Sequence, residues 1–120
     1  MENTEVKCEC SSTGSKIVMA CSGAADVGMI SDKVARAMQI AGKRKMNCLA
    51  VVGAGIEKSI AGFKQKDLLV IDGCAVACGK RILDQHGITD YKHIIVTDYG
   101  LKKGSSPATA DNVTMVLNKL

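Results

Sequence analysis

Apolar residues are arranged along this chain in two alternating rhythms: short unbroken runs, and longer stretches in which they recur every three or four positions. Lys16-Ile17-Val18-Met19-Ala20 is the first run and reads as a strand. Beyond Cys21-Ser22-Gly23-Ala24-Ala25, apolar positions at Val27, Ile30, Val34, Met38 and Ala41 keep a 3.6-residue period. A helix is expected there, with Asp26 as N-cap and Gly42 as its stop. Leu68-Leu69-Val70-Ile71 is uninterrupted, as in strands buried on both faces. It ends at Asp72-Gly73-Cys74, and the next helix should run to about His86, stopped by Gly87. His93-Ile94-Ile95-Val96 is the following strand. Ser106-Pro107 predicts a last helix with a serine cap and proline in its first turn, burying Val113, Val116, Leu117 and Leu120.

The stretch Lys45-Met46-Asn47-Cys48-Leu49-Ala50-Val51-Val52-Gly53 admits two readings. One is a strand over 46–52. The other is a short strand ending near Cys48, followed by a helical turn broken at Gly53 and Gly55 that leads into Ile56, Ile60 and Phe63. The second is preferred. In the first, Cys48 would lie about 15 Å from the strand's carboxyl end at the usual rise per residue.

Strands alternating with helices predict an α/β layered fold with a parallel sheet and right-handed crossovers. Residues 1–15 are polar and read as a tail, and 16–120 as one domain. A chain of 120 residues that is 47% hydrophobic has enough apolar surface for one core without disulfide or metal staples. Aromatics make up 2%, so that core must be aliphatic, with Met19, Met29, Met38, Met46 and Met115 mostly as packing.

The net charge of +4 is spread over Lys43-Arg44-Lys45, Lys80-Arg81 and Lys102-Lys103 without stacking aromatics between them. That is the pattern of a solvated surface, not of a nucleic-acid partner. No apolar run is long enough to span a membrane, and the polar N-terminus argues against a secretory signal.

Six cysteines change the picture: Cys8, Cys10, Cys21, Cys48, Cys74 and Cys78. With no export signal a cytoplasmic location is expected, where thiols stay reduced and serve metals or thiol chemistry. In an open parallel sheet the loops after the strands' carboxyl ends converge on one edge, where ligands bind. Cys21 follows the first strand, Cys74 follows 68–71, and Cys78 lies about one turn beyond Cys74. Cys48 joins them if its strand is short. Any one cysteine is readily explained as a small buried hydrophobe. Four on one edge point to shared chemistry, and Zn²⁺ would ionise them and hold them tetrahedrally.

Two net negative charges then need compensation. Helix N-termini, Lys80 and Arg81 offer it. Gly23, Gly73 and Gly79 would let backbone approach sulfur, and Asp72 is placed as an outer acceptor or a turn former. The spacing is not a zinc ribbon, for no CxxC pair exists. Cys8-x-Cys10 is either incidental or a pair that hands metal to the site. His86 suits a helix end and His93 the opening of a strand, so neither is taken as a ligand.

Other motifs fail. Gly53-x-Gly55 lacks the third glycine of a dinucleotide fingerprint, and no phosphate-binding Gly-Lys-Ser/Thr exists. The arginine that a cysteine phosphatase needs six residues after its nucleophile is Val27 after Cys21 and Lys80 after Cys74.

The run Ile71-Asp72-Gly73-Cys74-Ala75-Val76-Ala77-Cys78 resembles the DGC-domain family of zinc-binding proteins. So do Cys21-Ser22-Gly23-Ala24-Ala25-Asp26-Val27-Gly28, Val34-Ala35-Arg36, Met46-Asn47-Cys48-Leu49-Ala50, and the segment from His93 to Gly104. The resemblance extends from Lys16 to the C-terminus. It implies a three-layer sandwich with a mostly parallel four-stranded sheet, Rossmann-like or flavodoxin-like. It also implies Cys21, Cys48, Cys74 and Cys78 as metal ligands, and it carries no reaction. The functional expectation is a zinc-binding protein whose four-cysteine site is structural or serves metal storage or sensing. A closed four-thiolate shell leaves no position for a catalytic water. The alternative is a thiol enzyme of redox or sulfur-transfer chemistry with Cys21 or Cys74 as nucleophile. Soft thiolates would also accept another metal or a metalloid.

Overall fold

The computed structural model describes residues 15–120. Four strands, β1 (Lys16–Ala20), β2 (Lys45–Met46), β3 (Asp67–Asp72) and β4 (Lys92–Ile95), form one sheet in the order β2-β1-β3-β4, with every pairing parallel. Five α-helices connect and cover them: α1 (Asp26–Ile40), α2 (Leu49–Gly53), α3 (Glu57–Phe63), α4 (Cys78–Gln85) and α5 (Ala110–Leu117). A 3-10 turn at Val96–Tyr99 follows β4 directly. The α/β class and the parallel four-stranded sheet are as expected from the sequence.

The register explains the layers. Ile17 pairs with Leu68 and Val18 with Leu69, so even-numbered side chains of β1 share a face with odd-numbered ones of β3, and the reverse. Val18, Ala20, Leu69 and Ile71 pack under α1 and α5, against Val27, Ile30, Val34, Val113 and Val116. Ile17, Met19, Leu68 and Val70 pack on the opposite face, against Val52 of α2, Ile60 of α3, Leu83 of α4 and Ile88. Helices on both faces make a three-layer sandwich whose two cores are almost wholly aliphatic.

Several boundaries differ from expectation, each for a local reason. Ala25, not Asp26, is the N-cap of α1. Asp26 is the first helical residue, and its carboxylate accepts the N–H groups of Val27 at 2.8 Å, Gly104 at 2.9 Å and Ser106 at 3.1 Å. It therefore ties the segment before α5 to the start of α1. The last helix starts at Ala110, not at Ser106-Pro107: Thr109 is its cap, with Oγ1 accepting the Asn112 N–H at 3.2 Å. Ser106 is instead buried in a turn, its hydroxyl accepting the Lys102 N–H at 2.8 Å. Leu120 lies outside the stripe and is exposed.

Gly42 and Gly87 do end their helices, at φ +74 and +77, where an L side chain is strained. Arg44, expected as part of a solvated basic triplet, is buried. Its guanidinium donates to the carbonyls of Ile17 and Asp67 at 3.1 and 2.9 Å, and to the Asp67 carboxylate at 3.2 Å. Met29 is exposed, whereas Met19 and Met38 are core. No helix of the described residues is long and apolar enough to cross a membrane. The tail reading for residues 1–15, with Cys8 and Cys10, lies outside the described residues apart from Ser15.

Candidate functional site

The hydrogen-bond ladders of β1, β2 and β3 each run one residue past the last sheet residue, although β2 stops level with Val18, two residues short of the end of β1. Cys21 N–H donates to the Ile71 carbonyl at 2.9 Å, Asn47 N–H to Val18 at 3.0 Å, and Thr97 N–H to Gly73 at 3.3 Å. Cys21 and Gly73 are thereby held at the carboxyl edge, with Cys74 following directly, and Asn47 is held lower on the β1 flank, from where Cys48 leads toward the edge. The short-strand reading holds: β2 stops at Met46 and Cys48 is the N-cap of α2. Cys78 opens α4.

The four cysteines line two depressions that share a wall. A cavity of about 610 Å³ is bordered by Cys21, Cys48 and Cys78, with Ser22, Asp32 and Arg36 at its rim. A second, about 360 Å³, is bordered by Cys21, Cys74 and Cys78 with Gly73, Val76 and Lys103. Cys21 and Cys78 belong to both, whereas Cys48 and Cys74 each reach one. All four are free thiols; Cys48 and Cys78 are exposed, Cys21 and Cys74 half-buried. Among the described residues no group of three His, Cys, Asp or Glu side chains is gathered closely enough to hold a metal ion.

The glycines at this edge have distinct reasons. A Cβ on Gly73 would stand 2.7 Å from the Gly28 nitrogen and the Val27 carbonyl carbon, so glycine lets the β3 exit press against the start of α1. A Cβ on Gly79 would meet Val70 at 2.8 Å and Asp72 at 2.9 Å, so α4 lies directly on β3. Gly23 and Gly73 both bring backbone to sulfur: Cys21 Sγ lies 3.6 Å from where a Gly23 Cβ would be, and the N–H groups of both glycines reach it. Burial pushes the Cys21 thiol above its ordinary value. The Gly23 N–H pulls it back, Asp72 and Cys78 raise it further, and the Gly73 N–H lowers it.

Asp72 is buried at the end of β3, and its two oxygens are fully engaged. Oδ1 accepts the Gly79 N–H at 2.7 Å; Oδ2 accepts the Lys80 N–H at 3.1 Å and lies 2.7 Å from His93 Nε2. The first free N–H groups of α4 therefore go to a carboxylate and not to a thiolate, contrary to the expected use of that helix N-terminus. Lys80 likewise serves through its backbone, since its ammonium pairs with Asp84 at 2.7 Å. The ammonium at the sulfurs is that of Lys103, 3.8 Å from Cys74 Sγ.

Sequence reasoning missed His93, Lys103, and the chain in which Ser22 Oγ donates to Asp32 at 2.6 Å while Arg36 Nε donates to its other oxygen at 2.7 Å. The i,i+4 spacing of Asp32 and Arg36 was a readable signal. His93 was hidden by an unknown register: Asp72 pairs with Ile95, which places His93 on the same face two residues back.

These features define a parallel α/β domain whose carboxyl edge is lined by thiols from three separate loops. The chain belongs to the DGC domain family, whose model matches residues 17–120. It is also similar to the anaerobic and virulence modulator AnvM of Pseudomonas aeruginosa, with 30% identity over 88 residues that cover 72% of this chain and 67% of that protein. No solved structure matches.

Proposed function

We propose that this protein binds one thiophilic metal ion, zinc, through Cys21, Cys48, Cys74 and Cys78, and that the ion is cargo or signal and not the glue of the fold. The observation that carries this is the shared wall: Cys21 and Cys78 border both depressions, so the four sulfurs frame one continuous edge. The donor set fits a soft borderline cation, being four thiols, while the carboxylates around them are already engaged, Asp72 by two N–H groups and His93 and Asp32 by Ser22 and Arg36. Binding would draw Cys48 and Cys74 toward the shared pair. Cys48 is exposed and on the N-cap of a five-residue helix, where side-chain rotation meets little resistance. Lys103, near Cys74, would offset part of the thiolate charge.

Both aliphatic cores close without any of the four ligands at their centres, which supports storage or sensing over a purely structural ion. A reducing, cytoplasmic location is part of the same reading. The alternative is a thiol enzyme with Cys21 or Cys74 as nucleophile; for Cys21 it is opposed by burial and by Asp72 and Cys78, which all disfavour the thiolate.

Elemental analysis of the full chain, purified without chelator, tests the proposal. Close to one zinc per chain is expected, with loss on changing any of the four cysteines to serine and protection of those four from alkylation until a chelator is added. A metal-free protein that also fails to take up added zinc, with one cysteine alkylating far faster than the others, would overturn it in favour of the thiol enzyme.

A further inference from the structure

The larger cavity holds more than sulfur. Arg36 stands at its rim with its Nε held by Asp32 at 2.7 Å, and Asp32 is held in turn by the Ser22 hydroxyl at 2.6 Å. This holds the Nε edge of the guanidinium, and no described residue takes up its two Nη groups. Their N–H pairs form the fork that matches a carboxylate bidentately. Asn47, whose backbone is pinned to Val18, lines the same cavity next to Cys48. A cavity of about 610 Å³ is far larger than a bare ion needs, and it combines three thiols with the Arg36–Asp32 ion pair, whose Nη groups stay open.

We propose that this cavity binds a small carboxylate-bearing thiol, with the carboxylate on the Arg36 fork and the sulfur beside Cys48. The inference rests on the metal-binding reading and names the form in which the metal arrives: a thiolate complex of such a molecule. Delivery is then ligand exchange without redox change. A bond from zinc to the carrier sulfur breaks, a bond from zinc to the cysteine sulfur forms, and the cysteine proton leaves on the departing thiol. Arg36 positions the carrier and does not touch the metal. It is largely exposed, so its replacement should leave the fold intact.

The test uses two probes that differ in the carboxylate, 3-mercaptopropionate and 2-mercaptoethanol. Each is titrated into isotope-labelled, metal-free full chain, and backbone amide shifts at residues 22, 36 and 47 are followed. The carboxylate probe should bind about threefold more tightly than the neutral one, the worth of one exposed ion pair. Arg36→Gln should remove that preference, and Arg36→Lys should restore part of it. Equal binding of both probes, or a preference that survives Arg36→Gln, overturns the proposal. Zinc content of Arg36→Gln after equilibration with zinc chloride keeps the two readings apart. Wild-type content with lost discrimination supports the carrier site. Absence of zinc from wild-type and variant alike defeats the metal reading while the two-probe comparison still stands.

Discussion

Replacing Asp72 tests how the edge is built. The carboxylate sits at the end of β3, buried, and its two oxygens take two N–H groups of α4 and one ring nitrogen of β4. Asparagine fills the same space but has one acceptor oxygen. If that oxygen keeps Gly79, the amide NH₂ faces the Lys80 N–H, donor against donor. Losing one charge-assisted hydrogen bond and opposing a second donor costs about 2–3 kcal/mol. Alanine also leaves His93 without its partner and α4 without its cap, which raises the loss to about 3–5 kcal/mol. For a domain of this size those losses lower the melting temperature by about 4 °C per kcal/mol. Urea titrations followed by far-ultraviolet circular dichroism measure the difference. A cycle with His93→Leu should show coupling of about 1 kcal/mol or more, since the two side chains are in contact. Asp72→Asn within about 0.5 kcal/mol of wild type would refute the assignment of Asp72 as the anchor of α4.

Arg44→Met should cost about 2–4 kcal/mol in the same titration, because the carbonyls of Ile17 and Asp67 lose a charged donor at a buried site. Gly73→Ala should cost about 1–3 kcal/mol, since its Cβ meets backbone of α1 and not a movable side chain. The N–H groups of Gly104, then Ser106 and Val27, hold Asp26 below the ordinary carboxylate value of 3.8. A depressed value stabilises the folded state above the unfolded value, and that contribution is lost as pH falls through the folded one. Hydrogen exchange at the Gly104 and Ser106 amides should therefore accelerate as pH drops below about 4, relative to amides of the β1–β3 ladder. In Asp26→Asn that extra acid sensitivity should vanish. Metal removal by a chelator should leave far-ultraviolet ellipticity and a cooperative urea transition in place, as expected where none of the four thiols is among the buried core residues.

Alternation of apolar runs with 3.6-period stretches was enough to read the α/β class, because β1 and β3 are buried on both faces and α1 on one. The break after Cys48 was readable as well, since Gly53 and Gly55 do not suit a continuing strand. What could not be read were contacts fixed by register and by loop closure. Asp26 looked like a cap because its neighbours are helical, but its carboxylate is taken by N–H groups about eighty residues away. Lys80 and Lys103 look alike as sequence. An aspartate four residues on takes the first, and only the path of the segment before α5 brings the second near Cys74.

The triad Asp72-Gly73-Cys74 shows why residues of such different chemistry occur as one block. Asp72 is the last residue of β3 and faces the α4 layer, where its carboxylate fixes the helix that Cys78 opens. Gly73 turns toward the opposite layer and lets the chain pass against the first turn of α1, the helix that follows the loop of Cys21. Cys74 then emerges between the two helices, bordering the same depression as Cys21 and Cys78. A change at Asp72 should move Cys78 relative to Cys74, whereas a change at Gly73 should move Cys21. Neither substitution removes a thiol, yet both would alter the spacing of the sulfurs. Loss of metal from Asp72→Asn or Gly73→Ala with all four cysteines intact would thus report on the scaffold and not on the ligands.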